Sequence, residues 1–298
     1  MPARPIVRGL GAVMHRGVSY GRVTGIKSYH TLASSAVLVD SVEVYERVEK
    51  TIEVVMGGRY TGYPGFRFVA GRYLDHPVIV GTIPPYPEAV VEVVSELYMM
   101  GVRNFVMLTR GYRLGKLPVE SRSREEDSIF IAVAAVPLDG VSERVAAPGL
   151  PLMPSEALLK HFINAAKGEV EGIESGGSET PVIRGLETLK GVTVTLKSPR
   201  MPWSYQEVEP YLGMRGVRLA DSVTAPLYAL QYYYSRVRAL SLIIALKNLT
   251  PAAKPVEYDY EQARRIQVKE AEIMSRALIA VVEALKRAEE AESGGPRE

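Results

Sequence analysis

A chain of 298 residues with 47% hydrophobic and 23% charged residues can bury a large core, and its formal charge of only +2 argues against a general nucleic-acid binder. It has no cysteine, which excludes disulfides and thiol catalysis, and its four histidines (His15, His30, His76, His161) never fall at metal-ligand spacing, so no metal site is expected. No 18-residue apolar run is present and the N-terminal stretch lacks a sustained apolar core, so no membrane span or secretory leader is expected, and a cytoplasmic location is.

Residues 1–28 are rich in Gly and Arg without a clear period and read as an N-terminal arm. AVLVD (36–40) is a short apolar strand. In 42–56, Val44, Val48, Ile52 and Val55 keep helical spacing, which predicts a helix closed by Gly57-Gly58. The aromatic alternation of 59–74 predicts a hairpin, 77–83 a buried strand, 84–87 a turn, and 88–101 an amphipathic helix ended by Gly101. A strand at 102–109 precedes an arginine-rich loop that runs to Asp127, and 128–136 is another strand. Ser155 is a good N-cap for a helix ending at Gly168. After a glycine-rich excursion (169–185) come a strand at 191–196, a helix around 222–235, a strand at 240–248 and a long helix at about 259–290.

Apolar strands alternating with helices predict an α/β fold, a three-layer α/β/α sandwich around a central mixed, mostly parallel sheet. Its single domain spans 29–290, with a flexible tail at 291–298. Ligands in such sheets bind beyond the carboxyl ends of the strands. Here those ends are Thr82–Pro85, Thr109–Arg113, Lys197–Arg200 and Lys247–Thr250.

Four stretches in order resemble the nucleoside phosphorylase family. They are ERVEK (46–50), HPVIVGT (76–82) continuing to GVRNF (101–105), DSIFIAVAAVPLDGVSERVAAPGLPLM (127–153), and RALSLIIALKNLT (238–250). The resemblance implies attack of phosphate on the anomeric carbon of a nucleoside, with departure of the base. Such a site holds an anion beside the sugar, fixes the sugar hydroxyls and stabilises charge on the leaving base.

Carried over by position, the resemblance makes Arg47 a phosphate arginine, while the family's Gly-Asp-Pro loop falls on Glu43-Val44-Tyr45. His30 and Arg67 match residues lent by a neighbouring subunit. At the end of the third strand, where the family reads Arg-(Val/Ile)-Gly-Thr, this chain reads Met107-Leu108-Thr109-Arg110, so Met107 replaces the phosphate arginine, Arg110 stands in for the threonine, and Thr109 beside it is a candidate ligand contact. The sugar-gripping glutamate becomes Thr224, with Asp221 the nearest carboxylate, whose other reading is a helix cap. Arg200 and Trp203 lie on the base-side loop. Asn248, next to Lys247, is the survivor of the residues that would protonate the leaving base and is the candidate catalytic residue.

The expected function is nucleoside phosphorylase-like handling of a purine or pyrimidine nucleoside or nucleotide, by phosphorolysis of the N-glycosidic bond, that is, pentosyl transfer in nucleoside metabolism. The alternative is a non-catalytic relative that keeps the fold and the oligomer. No cofactor is expected, only inorganic phosphate as a co-substrate. The expected partners are a small nucleoside or phosphorylated ligand and further copies of the chain, as a homodimer or a homohexamer built as a trimer of dimers. No nucleic acid or membrane partner is expected. The cations Arg110, Arg113, Lys197, Arg200 and Lys247 would suit a phosphorylated ligand, unless acids in 119–127 and 207–209 pair with them.

Overall fold

In the computed structural model, the described residues are 13–15, 18–20, 23–26, 33–62, 64–114, 128–145, 150–166, 187–197, 204–211, 216–249 and 260–293. A small hairpin joins β1 (Val13–His15) to β2 (Val18–Tyr20). The other nine strands form one mixed sheet. They are β3 (Ser35–Val39), β4 (Glu53–Thr61), β5 (Arg67–Tyr73), β6 (His76–Thr82), β7 (Asn104–Arg113), β8 (Ser128–Leu138), β9 (Glu187–Leu196), β10 (Val217–Asp221) and β11 (Arg238–Asn248). Six α-helices are described: α1 (Val42–Thr51), α2 (Pro87–Met99), α3 (Glu156–Ala166), α4 (Ser204–Val208), α5 (Thr224–Tyr233) and α6 (Tyr260–Ser293).

The strand order is β10-β9-β8-β11-β7-β3-β6-β5-β4, and β10 also pairs with β7. That extra antiparallel pairing, Leu219 opposite Arg113 and Ala220 opposite Tyr112, closes β7, β11, β8, β9 and β10 into a five-stranded barrel. The sequence gives no sign of this closure. Gly111 makes it sterically feasible, since a Cβ there would sit 2.6 Å from Ile243 Cγ2 and 2.9 Å from the Ala220 carbonyl oxygen. Beyond the barrel, β3 and β6 run parallel to β7, and β4 and β5 form an antiparallel edge.

Helices cover the sheet through two apolar cores. In one, Val90, Val93, Val94 and Leu97 of α2 pack with Leu227 and Tyr228 of α5 against Phe105 and Ile243. In the other, Val44 and Val48 of α1, Phe162 of α3 and a stripe on α6 meet Val37, Val106 and Leu242. The α6 stripe, Ile273, Met274, Ala277, Leu278, Val281 and Leu285, is fully buried or nearly so, and each large side chain in it contributes roughly 1.5–3 kcal/mol. Tyr228 ties three elements together: its hydroxyl donates to the Ala132 carbonyl at 2.6 Å and accepts from the Ser241 amide at 3.0 Å. Among the described residues, no helix is long and apolar enough to cross a membrane.

Several sequence expectations need correction. The helix expected over 42–56 stops at Thr51, and Ile52 turns extended, so Gly57 and Gly58 lie inside β4. The β-branched run that follows suits a strand paired with β5 better than a last helical turn. Of the loop expected to run to Asp127, Arg110 to Arg113 are instead the end of β7, held by β11 and β10, and 115–127 lie outside the described residues. β10 was missed outright. Val23, Thr24 and Ile26 are buried, and Glu96 of α2 accepts from the amides of Val23 (2.6 Å) and Thr24 (2.9 Å) and from the Thr24 hydroxyl (2.6 Å).

Candidate functional site

The ends of several strands converge on one cleft of about 460 Å³. Its walls come from Asp40 after β3, Pro85, Tyr86 and Glu88 at the start of α2, and Arg110 to Tyr112 of β7. Lys197, Ser222, Lys247 and Glu270 complete it. Each side chain is placed by local structure. Asp40 sits in the two-residue turn between β3 and α1, where Ser41 caps the helix through the Val44 amide. The Glu43-Val44-Tyr45 segment, where the resemblance placed the Gly-Asp-Pro loop, is thus the first turn of α1. On β11 the register against β7 slips between Ile244 and Lys247, a bulge that re-aims the strand end carrying Lys247. Ser222 holds the opposite wall, its hydroxyl donating to the Pro85 carbonyl at 2.7 Å.

Two ion pairs organise the floor. Asp40 Oδ2 accepts from the Thr109 hydroxyl (3.0 Å) and the Arg110 amide (2.9 Å), while Oδ1 accepts from Arg110 Nε (3.2 Å). The guanidinium also donates to the Asp40 carbonyl. Burial works to depress the Arg110 pKa, but Asp40, Glu270 and Glu43 outweigh it and hold the guanidinium above its ordinary range. Across the floor, Lys247 Nζ stands 3.7 Å from Glu270 Oε1, an ion pair beyond good hydrogen-bond reach. Burial pushes the Glu270 carboxyl up, opposed by Lys247 and Arg110. Three cations (Arg110, Lys197, Lys247) and three carboxylates (Asp40, Glu88, Glu270) therefore line the cleft among the described residues.

Of the residues singled out from sequence, Arg110 and Lys247 lie in the cleft, together with the strand ends Pro85 and Lys197. Thr109 is fully buried behind the wall, bonded to Asp40. Asp221 and Thr224 are also fully buried. Asp221 Oδ1 accepts from Val223 N (3.0 Å), Thr224 N (3.1 Å) and the Thr195 hydroxyl (3.1 Å), and Oδ2 from the Thr193 (3.2 Å) and Thr224 hydroxyls. The N-cap position of α5 is Val223, not Asp221, but the Asp221 carboxylate takes the two amides that open the helix, a structural capping role, and burial pushes its pKa up. Thr224 also shares a hydrogen bond with Ser241.

Arg47 is exposed on α1, 3.5 Å from Ser275 Oγ, and Arg67 pairs with Glu46 at 3.6 Å; neither reaches the cleft. Met107 is buried core. His30, Arg200 and Trp203 lie outside the described residues, as does the side chain of Asn248, whose backbone pairs with Arg113 at the end of β11. The partner of Arg110 is Asp40, not an acid of 207–209, and 119–127 lies outside the described residues.

Sequence reasoning missed Asp40 and Glu270. Each left a signal: an acid directly after the apolar run AVLV, and an acid in the buried stripe that continues through Ile273, Met274 and Ala277.

No protein-family model matches the sequence, and no curated protein does either. The fold has close structural counterparts. Uridine phosphorylase from Vibrio fischeri ES114 superposes with a TM-score of 0.69 at 15% identity, over 92% of this chain and 100% of that one. Purine nucleoside phosphorylase from Toxoplasma gondii, in complex with immucillin-H, gives 0.66 at 14% identity, over 92% and 99%. The Vibrio fischeri enzyme complexed with 6-hydroxy-1-naphthoic acid gives 0.63 at 15%, over 86% and 93%. At such identity the likeness is one of fold alone: the chain has a nucleoside phosphorylase-like α/β fold.

Proposed function

We propose that the chain handles a purine or pyrimidine nucleoside-like ligand in the strand-end cleft, with the N-glycosidic bond as the reactive centre. The observation that carries this reading is the position of a charged cleft of about 460 Å³ at the strand ends of a fold shared with uridine and purine nucleoside phosphorylases. Tyr86 and Tyr112 offer ring surface to a base, and Arg110 and Lys247 offer donors to ligand oxygens.

Phosphate is disfavoured as the attacking group. Asp40 already engages the Thr109 hydroxyl, the Arg110 amide and the guanidinium, and its own charge repels an incoming phosphate. This geometry favours a second reading, a ligand-binding relative without phosphorolysis, and the burial of Thr224 where the sugar glutamate would lie supports it as well. The resemblance further implies a homodimer and, from it, a trimer of dimers. A sedimentation mass of one chain at micromolar concentration would contradict both assemblies.

The test is to incubate the protein with a nucleoside panel, with and without phosphate, and to follow released base by ultraviolet absorbance alongside binding. Base release without a phosphate requirement supports hydrolytic turnover, and binding without release supports the second reading. Phosphate-dependent release near the enzyme median of about 10 per second would overturn the argument from Asp40.

A further inference from the structure

Among the described residues, Glu270 is the buried carboxylate in which neither oxygen has a hydrogen-bond partner. Its side chain is 3% exposed and lines the cleft. The other buried acids behave differently. Asp40 takes three donors on its carboxylate, Asp221 takes five, Glu96 takes three, and Asp139 takes two, both on Oδ1. A buried carboxylate without donors is costly, and native proteins rarely leave one so. Lys247 at 3.7 Å balances charge but does not satisfy the oxygens.

The charges nearby restrict which donors suit the Glu270 oxygens. Lys247 and Arg110 already compensate Glu270, so a cationic ligand would have to displace a lysine. The three carboxylates of the cleft balance its three cations, so a phosphorylated ligand gains no net attraction there. What remains is a neutral group with two polar hydrogens. Vicinal hydroxyls fit, since the two oxygens of one carboxylate can each accept from one of them.

We infer that Glu270 is a ligand-binding residue that accepts hydrogen bonds from a vicinal hydroxyl pair of a neutral, pentose-bearing ligand. This rests on the proposed nucleoside reading and gives the sugar of that ligand a carboxylate partner on α6. The residue at Thr224 cannot fill that role, being buried and engaged with Asp221 and Ser241.

The test compares wild type with Glu270→Gln by thermal shift and calorimetry, using uridine, inosine, their 2′,3′-dideoxy counterparts, uridine monophosphate and free D-ribose. The expected result is that ribonucleosides bind wild type, and that both the dideoxy analogues and the glutamine variant bind about ten- to a hundredfold more weakly. The monophosphate should bind no better than uridine. Without ligand, Glu270→Gln should melt no lower than wild type, because it removes a buried charge whose oxygens take no hydrogen bond and whose ion pair with Lys247 is long.

Ribonucleosides and dideoxynucleosides binding alike, or binding unchanged in Glu270→Gln, would overturn the assignment and leave the nucleoside reading standing. So would a ligand-free melting point several degrees lower, which would make Glu270 a structural partner of Lys247. If only D-ribose binds, and Glu270→Gln abolishes it, the assignment stands and the nucleoside reading falls. If no probe binds wild type, both fall.

Discussion

Replacing Asp221 by alanine should separate a structural carboxylate from a ligand-binding one. The side chain is fully buried and receives five hydrogen bonds. Three donors are hydroxyls that can turn elsewhere: Thr224 already meets Ser241, and Thr195 accepts from the Ala225 amide at 3.0 Å. The amides of Val223 and Thr224 cannot turn, and each left unsatisfied costs about 1–3 kcal/mol. With the cavity added, Asp221→Ala should lose about 3–5 kcal/mol, or about 5–8 °C in Tm for a chain of this length.

Asp221→Asn should behave differently. Its carbonyl oxygen can keep the two amides and Thr195, while its amide group faces the Thr193 and Thr224 hydroxyls, which reverse to accept. Because burial pushes the Asp221 pKa up, the neutral amide also removes a desolvation cost, so the change should stay within about 1 kcal/mol. Urea melts and scanning calorimetry measure both variants. An alanine variant as stable as wild type, or an asparagine variant as damaged as alanine, would refute the capping role.

Asp40→Asn keeps an acceptor for Thr109 and the Arg110 amide but releases the guanidinium, so millimolar phosphate should raise the Tm of this variant by about a degree or more and leave wild type unmoved; equal shifts would contradict the argument. Glu96→Ala removes the acceptor of three buried donors, and should cost about 2–4 kcal/mol and abolish hydrogen-exchange protection of the Val23 and Thr24 amides. Retained protection would show that residues 23–26 are held by something else. Burial holds the His76 pKa below 6.5, with Glu289 opposing, so the unfolded chain binds that proton more readily. This group's contribution is therefore flat above pH 6.5 and falls on acidification toward the lowered folded value, and His76→Gln should flatten the slope in urea melts below about pH 6.5 while leaving it unchanged above.

The strands β3, β6, β8 and β11 were legible because strands buried on both faces read as continuous apolar runs. The helix α2 was legible through its period and Gly101, which takes a φ of 104° past its end. The end of α1 was misread because Ile52 and Val55 keep the helical spacing of Val44 and Val48 after the chain has become extended. Barrel closure depends on β10 meeting β7 about a hundred residues away in sequence, which no local pattern encodes. The site divides the same way. Lys197, Arg110 and Lys247 follow from strand ends, whereas the Asp40–Arg110 and Lys247–Glu270 pairs join residues far apart in the chain. Charge balance in the cleft therefore became apparent only in three dimensions.

The most direct measurement is a crystal structure of the protein grown with millimolar uridine or inosine. The account predicts a nucleoside in the cleft bounded by Tyr86, Tyr112, Lys247 and Glu270, with its sugar hydroxyls in hydrogen-bond reach of Glu270 and the Asp40–Arg110 pair intact. An empty cleft at those concentrations, or a nucleoside bound elsewhere on the molecule, would contradict it.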